Sequence, residues 1–582
     1  MSRARRLAAA LLLALATVLL AAAPADAHAF LEDSTPGQGA RLDTAPSRVL
    51  LRFSEGVAVT GGSVRVLGPD GRRVDRGMSR HPDGHDREVS VDLVAGLREA
   101  SYTVLWRVVS DDSHPLSGSF AFGVGVAAQE GYVPPVVGDR TVGVLHGVAR
   151  ALDFAGVLLL IGAVVLILLC WPEGAQLPGV RRLVGLAWTT AAVASSSLLL
   201  LQGPYGAGTA VGSTFDPALI SDTVGTRYGK LALVRLLLLG LLVPLLRALP
   251  QQLARRERPS SIDLTGVAVT LLLTFGLGGH PGQGIQVPVA VALDAAHLAA
   301  AGVWLGGLVI VAGWLLRPAR LDTALRVLPR WSVLAQVSVL VLVGTGLYAS
   351  WRDVGTWGAY PDTVFGRLLL VKNGLFLLMC GAAVMTHRWL VRALDAPVGL
   401  SVPGLRPRVL AHASSEVDSS ATVACTRVSR AALELPRVRR AVLVEAGLGA
   451  AVLGVAALLV NAVPARADYA PAFRARTTLT GLAGDSITAV IDVPRTHTGL
   501  ETIRAATYDS AGAALAVNSI DATLEPDDGS LEPSRVSFSM AGPGRGTASG
   551  VTVPARGRWK LVLQVRRSGG RAYAGSTTWL VR

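Results

Sequence analysis

Between Val142 and Ala462 the chain carries eight apolar runs, at approximately 142–171, 182–203, 229–249, 262–280, 288–316, 331–350, 366–389 and 441–463. About 20 helical residues cross the ~30 Å hydrocarbon layer of a bilayer, so runs of this length and near-continuous apolarity predict a bundle of eight transmembrane helices and not a barrel. The composition agrees, with 51% hydrophobic and 16% charged residues and a mean hydropathy of +0.46. A net charge of +14 does not single out nucleic acid, because the arginines stand in short groups between apolar runs and aromatics make up only 5% of the chain. The lipid bilayer is the expected partner.

The termini of this series can be oriented. Arg3, Arg5 and Arg6 precede an apolar stretch from Leu7 to Ala23, and Ala25-Asp26-Ala27 supplies a small-x-small cleavage pattern. Residues 1–27 therefore read as a signal peptide, and the mature chain is expected to begin at His28. With residues after His28 outside, the loops on the cytoplasmic side hold 19 arginines, while those on the opposite side hold only Arg227, Lys230, Arg352 and Arg367. This positive-inside bias predicts a multi-pass plasma-membrane protein with both ends extracytoplasmic.

Residues 28–126 change period. Apolar residues alternate in Val49-Leu51-Phe53, Val89-Val91-Leu93 and Tyr102-Val104-Trp106-Val108, as half-buried strands require. An exported all-β domain, an Ig-like sandwich or barrel, is expected there. A linker at 127–141 leads into the eight-helix domain at 142–463, and alternation in Ile487-Ala489-Ile491 and Trp559-Leu561-Leu563 predicts a second exported β-sandwich at 464–582. The Ser-, Ala-, Pro- and Arg-rich segment from Ala396 to Leu435 has no clear period and reads as a flexible cytoplasmic loop. Tyr228-Gly-Lys-Leu-Ala-Leu-Val-Arg235 resembles Phe365-Gly-Arg-Leu-Leu-Leu-Val-Lys372, and His146 and His297 each precede a glycine by ten residues, which suggests two parallel four-helix halves.

The three cysteines form no CxxC pair, so any metal must be held by nitrogen and oxygen. Cleavage before His28 would put an α-amino group and an imidazole on one residue, a chelating pair. Asp112 and His114, two apart after a predicted strand, present a carboxylate and an imidazole on the same side. Together these donors make a tetragonal N/O set that suits Cu(II), with zinc open on donor type alone and a solvated turn as the plain alternative. Met78, His81 and His85 share a predicted loop, but one sulfur is a poor basis for a cuprous site.

Ionisable groups inside the spans are functional candidates because each costs about 2.5–3.5 kcal/mol at the bilayer centre on insertion scales. His146 and Asp153 share a face of the first span, and Asp294 and His297 a face of the fifth. With His280 at the end of the fourth span, Lys372 in the seventh and Glu445 in the eighth, they sketch a polar ladder descending from the outer side. Interfacial placement, snorkelling and loop pairing are the competing readings.

The residues of the first domain carry a resemblance. His28-Ala29-Phe30-Leu31, Ser34-x-Pro36-x-x-Gly39-Ala40-x-Leu42, Phe53-Ser54-Glu55-Gly56-Val57 and Ser110-x-Asp112-x-His114-Pro115-x-x-Gly118 resemble the CopC family of periplasmic copper-binding β-barrels. The resemblance implies Cu(II) binding by His28, Asp112 and His114, with Glu55 either supporting a ligand or purely structural. His297-x6-Trp304-Leu305-Gly306-Gly307-Leu308, Gly344-Thr345-Gly346, Phe365-Gly366 with Lys372-Asn373, and Arg440-x4-Glu445 are similar to the CopD family of copper-transport membrane proteins. The order of domains implies a copper-uptake protein that captures Cu(II) outside and passes it inward, with an extracytoplasmic copper donor as a further expected partner. Copper sequestration without import is one rival, and haem ligation by His146, His280 and His297 in an electron-transfer protein is another. No Walker A sequence or GxSxG nucleophile is visible, and no enzymatic activity is expected.

Overall fold

The computed structural model describes residues 31–581, apart from 61, 111–113, 129–137, 256–260, 396–417, 497–498, 528–532 and 554–556. The expected signal peptide, His28 and Asp112 lie outside the described residues. The first unit contains β1 (Leu31–Thr35), β2 (Arg41–Leu42), β3 (Arg48–Phe53), β4 (Val57–Ala58), β5 (Val64–Leu67), β6 (Asp75–Arg80), β7 (Glu88–Leu93), β8 (Ala100–Ser110) and β9 (Pro115–Val124). One sheet runs β1-β3-β7-β6 and the other β2-β9-β8-β4, with β5 also on β8. The alternation seen in the sequence becomes the shared core: Val49, Leu51, Phe53, Val89, Val91, Val104 and Phe122 are all fully enclosed. Phe53 meets Trp106 edge to face at 5.4 Å, and a Cβ at Gly118 would lie 2.5 Å from that indole, so the strand opposite Trp106 needs a glycine.

Eight apolar helices follow: α1 (Arg140–Leu169), α2 (Pro178–Ala207), α3 (Arg227–Ala254), α4 (Ser261–Leu277), α5 (Val287–Ile310), α6 (Leu321–Val354), α7 (Val364–Asp395) and α8 (Asp418–Val460). Among the described residues, seven are long and apolar enough to cross a membrane, and the eighth, α4, has a shorter apolar stretch at Leu264–Leu277. At its C-terminal end, Gly278-Gly279 and Pro281 stop α4 at Leu277, and His280 falls in the 3-10 turn His280–Gly282. The expected loop at 396–435 needs correction. Residues 396–417 lie outside the described residues, but α8 already begins at Asp418, because the Ala-, Arg- and Leu-rich stretch after it favours helix even without a clean period.

α1 and α5, the first helices of the two halves, cross where glycines allow the backbones to meet. A Cβ at Gly162 would stand 2.0 Å from the Gly302 carbonyl and 2.7 Å from Gly306 Cα. The repeat also has a chemical counterpart. Arg235 and Lys372 occupy equivalent positions in α3 and α7; Arg235 pairs with Asp153 in α1, and Lys372 is an electrostatic neighbour of Asp294 in α5.

The last unit is one antiparallel sheet of nine strands, β10 (Phe473–Gly481), β11 (Ser486–Val493), β12 (Gly499–Tyr508), β13 (Ser519–Pro526), β14 (Ser534–Ser537), β15 (Ser539–Gly542), β16 (Arg545–Val553), β17 (Gly557–Arg566) and β18 (Ala572–Val581). Its order is β14-β13-β17-β18-β10-β11-β12-β16-β15, and it curls into a nearly closed barrel around Ile491, Leu524, Leu561, Leu563 and Val565.

Candidate functional site

The first β unit is seated on the helices by Arg107 and His114, both delivered by the β8–β9 hairpin. Arg107 points out of β8 and donates to the carbonyls of Gly206 (2.8 Å) and Tyr205 (3.0 Å) at the C-terminal end of α2. Those carbonyls have no partners within the helix, and a guanidinium there satisfies them and meets the negative end of the helix dipole. His114 follows β8. Its carbonyl is held by the amide (2.9 Å) and hydroxyl (3.2 Å) of Ser110, so the chain turns sharply at this point.

The His114 side chain is buried against the ends of two membrane helices. Its ring lies on that of His280 at 4.7 Å with 9° between the planes, and its Nε2–H donates to the Val460 carbonyl at 3.0 Å. The same carbonyl receives a longer bond from Arg150 (3.4 Å), whose guanidinium also reaches Asn461 Oδ1 at 3.1 Å. His280 is itself fixed from below, because its carbonyl accepts from Arg352 at 3.1 Å. Glu55 is partly buried in the turn before β4, and β4 pairs with the last residues of β8, which places Glu55 at the same end of the unit as His114.

His146 is fully enclosed near the N-terminal end of α1. Its Nε2–H donates to Gln202 Oε1 at 2.9 Å, and the Tyr205 ring covers it at 4.2 Å with 4° between the planes. Tyr205 is also the residue whose carbonyl Arg107 holds, so contacts run unbroken from β8 to His146. Two turns deeper, Asp153 accepts from Arg235 (2.6 Å) and Ser195 (2.6 Å). Arg235 is completed by Thr274 Oγ1 at 3.1 Å and by the Phe275 ring, 3.7 Å from its carbon.

The second half holds a separate group. Thr345 gives its own proton to the Val341 carbonyl (2.6 Å), so its oxygen accepts from His297 Nδ1 at 2.7 Å. Asp294 lies one turn away on α5, and Lys372 is the cation that Asp294 and His297 share as a neighbour. Deeper still, Thr386 donates to Glu445 at 2.5 Å. The expected ladder is therefore three packed clusters, with the first closed below by an ion pair. His146 and His280 are both buried within the protein.

Among the described residues no three His, Cys, Asp or Glu side chains are gathered closely enough to hold a metal ion. Of the predicted Cu(II) set, His114 alone is described. Met78 is exposed and His81 bonds the Glu88 carbonyl at 2.8 Å, which does not bring the two together around an ion. Beside the junction lies a cavity of about 40 Å³ lined by Val109, Ser110, Gln202, Gly206, Asp222 and Tyr228. Burial, followed by the nearby Asp216 carboxylate, holds the Asp222 carboxyl above the usual carboxylate range.

Three family models match in chain order. They are a CopC domain over residues 31–125, the N-terminal domain of copper resistance protein D-like proteins over 143–287, and copper resistance protein D over 325–459. Protein YobA of Escherichia coli K12 is 32% identical over 112 residues, covering 90% of that protein and 19% of this chain. This chain belongs to the CopC and CopD families, joined in one polypeptide. The copper transport protein CutJ of Bacillus subtilis is 29% identical over 364 residues, which cover 61% of this chain and 66% of that protein. The crystal structure of CopC from Methylosinus trichosporium OB3b matches 18% of this chain and all of its own, at 30% identity and a whole-chain TM-score of 0.16. The CopC match contains His114 and Arg107, and the N-terminal CopD-like match contains His146, Gln202, Tyr205, Arg235 and His280. The junction between β unit and helices is thus also a junction between two families.

Sequence reasoning passed over Arg107, Gln202, Tyr205 and Arg235. Arg235 carried a signal, since it ends the repeated motif in register with Lys372. Gln202 also did, as a lone amide inside an apolar span. Val460 had none, because it contributes only a backbone carbonyl.

Proposed function

We propose that this chain is a copper-uptake protein of the plasma membrane and not an enzyme. The extracytoplasmic β unit captures Cu(II) with the amino group and imidazole of His28, the Asp112 carboxylate and His114, and the helical unit passes copper inward. The observation that carries the reading is the seat of His114: a residue at a ligand position of the CopC motif rests directly on His280 and Val460 of the membrane unit. A ligand shared with the mouth of a membrane bundle suits delivery better than storage. The Val460 carbonyl fixes Nε2 as the protonated nitrogen of His114, the usual outer partner of a metal-binding imidazole. Copper binding requires the deprotonated amine and imidazoles, so capture weakens as pH falls. The excess of basic residues on one side supports an outward orientation for both β units.

Sequestration without import is favoured by one feature, the Asp153–Arg235 pair that closes the bundle beneath His146. Haem ligation by His146, His280 and His297 is tested separately, by a Soret band in the purified membrane protein. Copper accumulation separates the first two readings. Cells carrying the gene should accumulate more copper than cells without it, and His114→Ala should abolish the excess. Equal accumulation with improved copper tolerance would establish sequestration instead.

A further inference from the structure

His146 poses a problem of buried polarity. Its Nε2 is committed as a donor to Gln202, so Nδ1 carries the ring's lone pair, yet that nitrogen is buried and has no hydrogen-bond partner. Such an atom is rare in a folded protein and calls for an explanation, because it has been taken out of water with nothing in exchange. A fully enclosed imidazole with one nitrogen anchored to an oxygen and the other presenting a lone pair has the layout of a metal ligand. His114 has the same anchoring, with Nε2–H on the Val460 carbonyl.

We propose that His146 Nδ1 is the accepting ligand of a second copper site at the domain junction, shared with the imidazoles of His114 and His280. The proposal rests on the reading of copper as cargo and adds the step by which it enters the helical unit. The step is ligand exchange, with no change of oxidation state. Bonds from copper to His28 and Asp112 break, bonds to His146 and His280 form, and the bond to His114 is kept throughout. No proton need move on His114 or His146, because their Nε2–H groups are already held by oxygen.

The arrangement is poised for this exchange without being a preformed cage. Stacked at 4.7 Å, the His114 and His280 rings direct their lone pairs in parallel planes, so His280 must rotate to join the ion. A cavity of about 40 Å³ is lined by Ser110, which holds the His114 carbonyl, and by Gln202, which holds the His146 ring. The Arg150 cation faces the same place, on the rim that bonds Val460 and Asn461, and opposes long residence of a dication. The second site is accordingly weaker than the first, as a relay must be. Asp153 contributes no ligand, since Arg235 and Ser195 hold both of its oxygens.

The test uses the full chain, with His28 as its amino terminus, in lipid nanodiscs, titrated with cupric ion buffered by glycine and followed by electron paramagnetic resonance. The parent should bind two equivalents, one tight and one weak. His146→Asn should lose the weak one and keep the spectrum of the tight one. Gln202→Ala, which retains His146 but removes the anchor of its ring, should weaken the second equivalent about 10-fold or more. A single equivalent in the parent, or two unchanged equivalents in both variants, would overturn the proposal. Two equivalents without copper accumulation in cells would uphold the site and remove the uptake reading, whereas accumulation with one equivalent would do the reverse.

Discussion

Removing Arg235 should damage the membrane unit far more than neutralising its partner. Asp153 is only 1% exposed, and its two oxygens have one donor each, Arg235 at 2.6 Å and the Ser195 hydroxyl at 2.6 Å. In Arg235→Met the carboxylate would keep one neutral donor inside a hydrocarbon-facing bundle. Breaking a buried pair in this way costs about 3–5 kcal/mol, mostly from the charge left behind. Asp153→Asn is milder. The guanidinium retains Thr274 Oγ1, the Thr274 carbonyl and the Phe275 face, and the amide still fills the site, so about 1–3 kcal/mol is expected. The double variant should recover much of the loss seen in Arg235→Met, because no isolated charge remains. Equilibrium unfolding by sodium dodecyl sulfate in mixed micelles, run as a double-mutant cycle, measures all three. Arg235→Met within about 1 kcal/mol of the parent, or a double variant as unstable as the two singles added together, would refute the reasoning.

Two further outcomes test the packing and the first β unit. Gly162→Val should prevent the α1–α5 crossing, since a single Cβ already reaches 2.0 Å from the Gly302 carbonyl, and folded yield in detergent should collapse, while Gly143→Val, where nothing lies within 4 Å, should be tolerated. Asp75 tests the electrostatics. Burial raises its pKa, but the Arg73 guanidinium and the amides of Val66 and Gly77 outweigh burial and hold the carboxyl below its ordinary value of 3.8. A lowered folded value means stability that is fully present above the unfolded pKa and is lost as pH falls through the folded one. Hydrogen-exchange protection around Val66 and Gly77 should therefore fade below about pH 4 in the parent. Asp75→Asn should start less protected and show no such slope, and an identical slope in that variant would contradict the assignment.

Much of the architecture was legible because it depends on periodicity. Val49, Leu51 and Phe53 alternate because one face of β3 meets the opposite sheet, and the apolar runs are continuous because backbone and side chains both face lipid or other helices. Boundaries were harder where short-range propensity competes with composition. Gly278-Gly279 end α4 at Leu277, before the expected limit at 280, and α8 extends into a stretch whose Ser and Arg content looked like loop. The junction was partly legible. His114, His146 and His280 stood out as rare ionisable residues, but their convergence depends on how a hairpin docks on helix ends. That docking is written in Arg107, which looks like an ordinary strand arginine, and in carbonyls that any residue could supply. Asp153 was identified as a pathway candidate, but its commitment to Arg235 depends on a neighbouring helix, and only the repeat pointed to that partner.

Under the proposed function, a new amino terminus at His28 joins Asp112 and His114 around one cupric ion. The most direct measurement compares the full chain beginning at His28 with one carrying a single extra residue before it, each titrated with Cu(II) against a competing chelator. The first should bind tightly, with a nitrogen-rich tetragonal spectrum, and the second should lose at least 10-fold in affinity, since the extra residue converts the chelating amine of His28 into an amide. Equal affinity and identical spectra would contradict it.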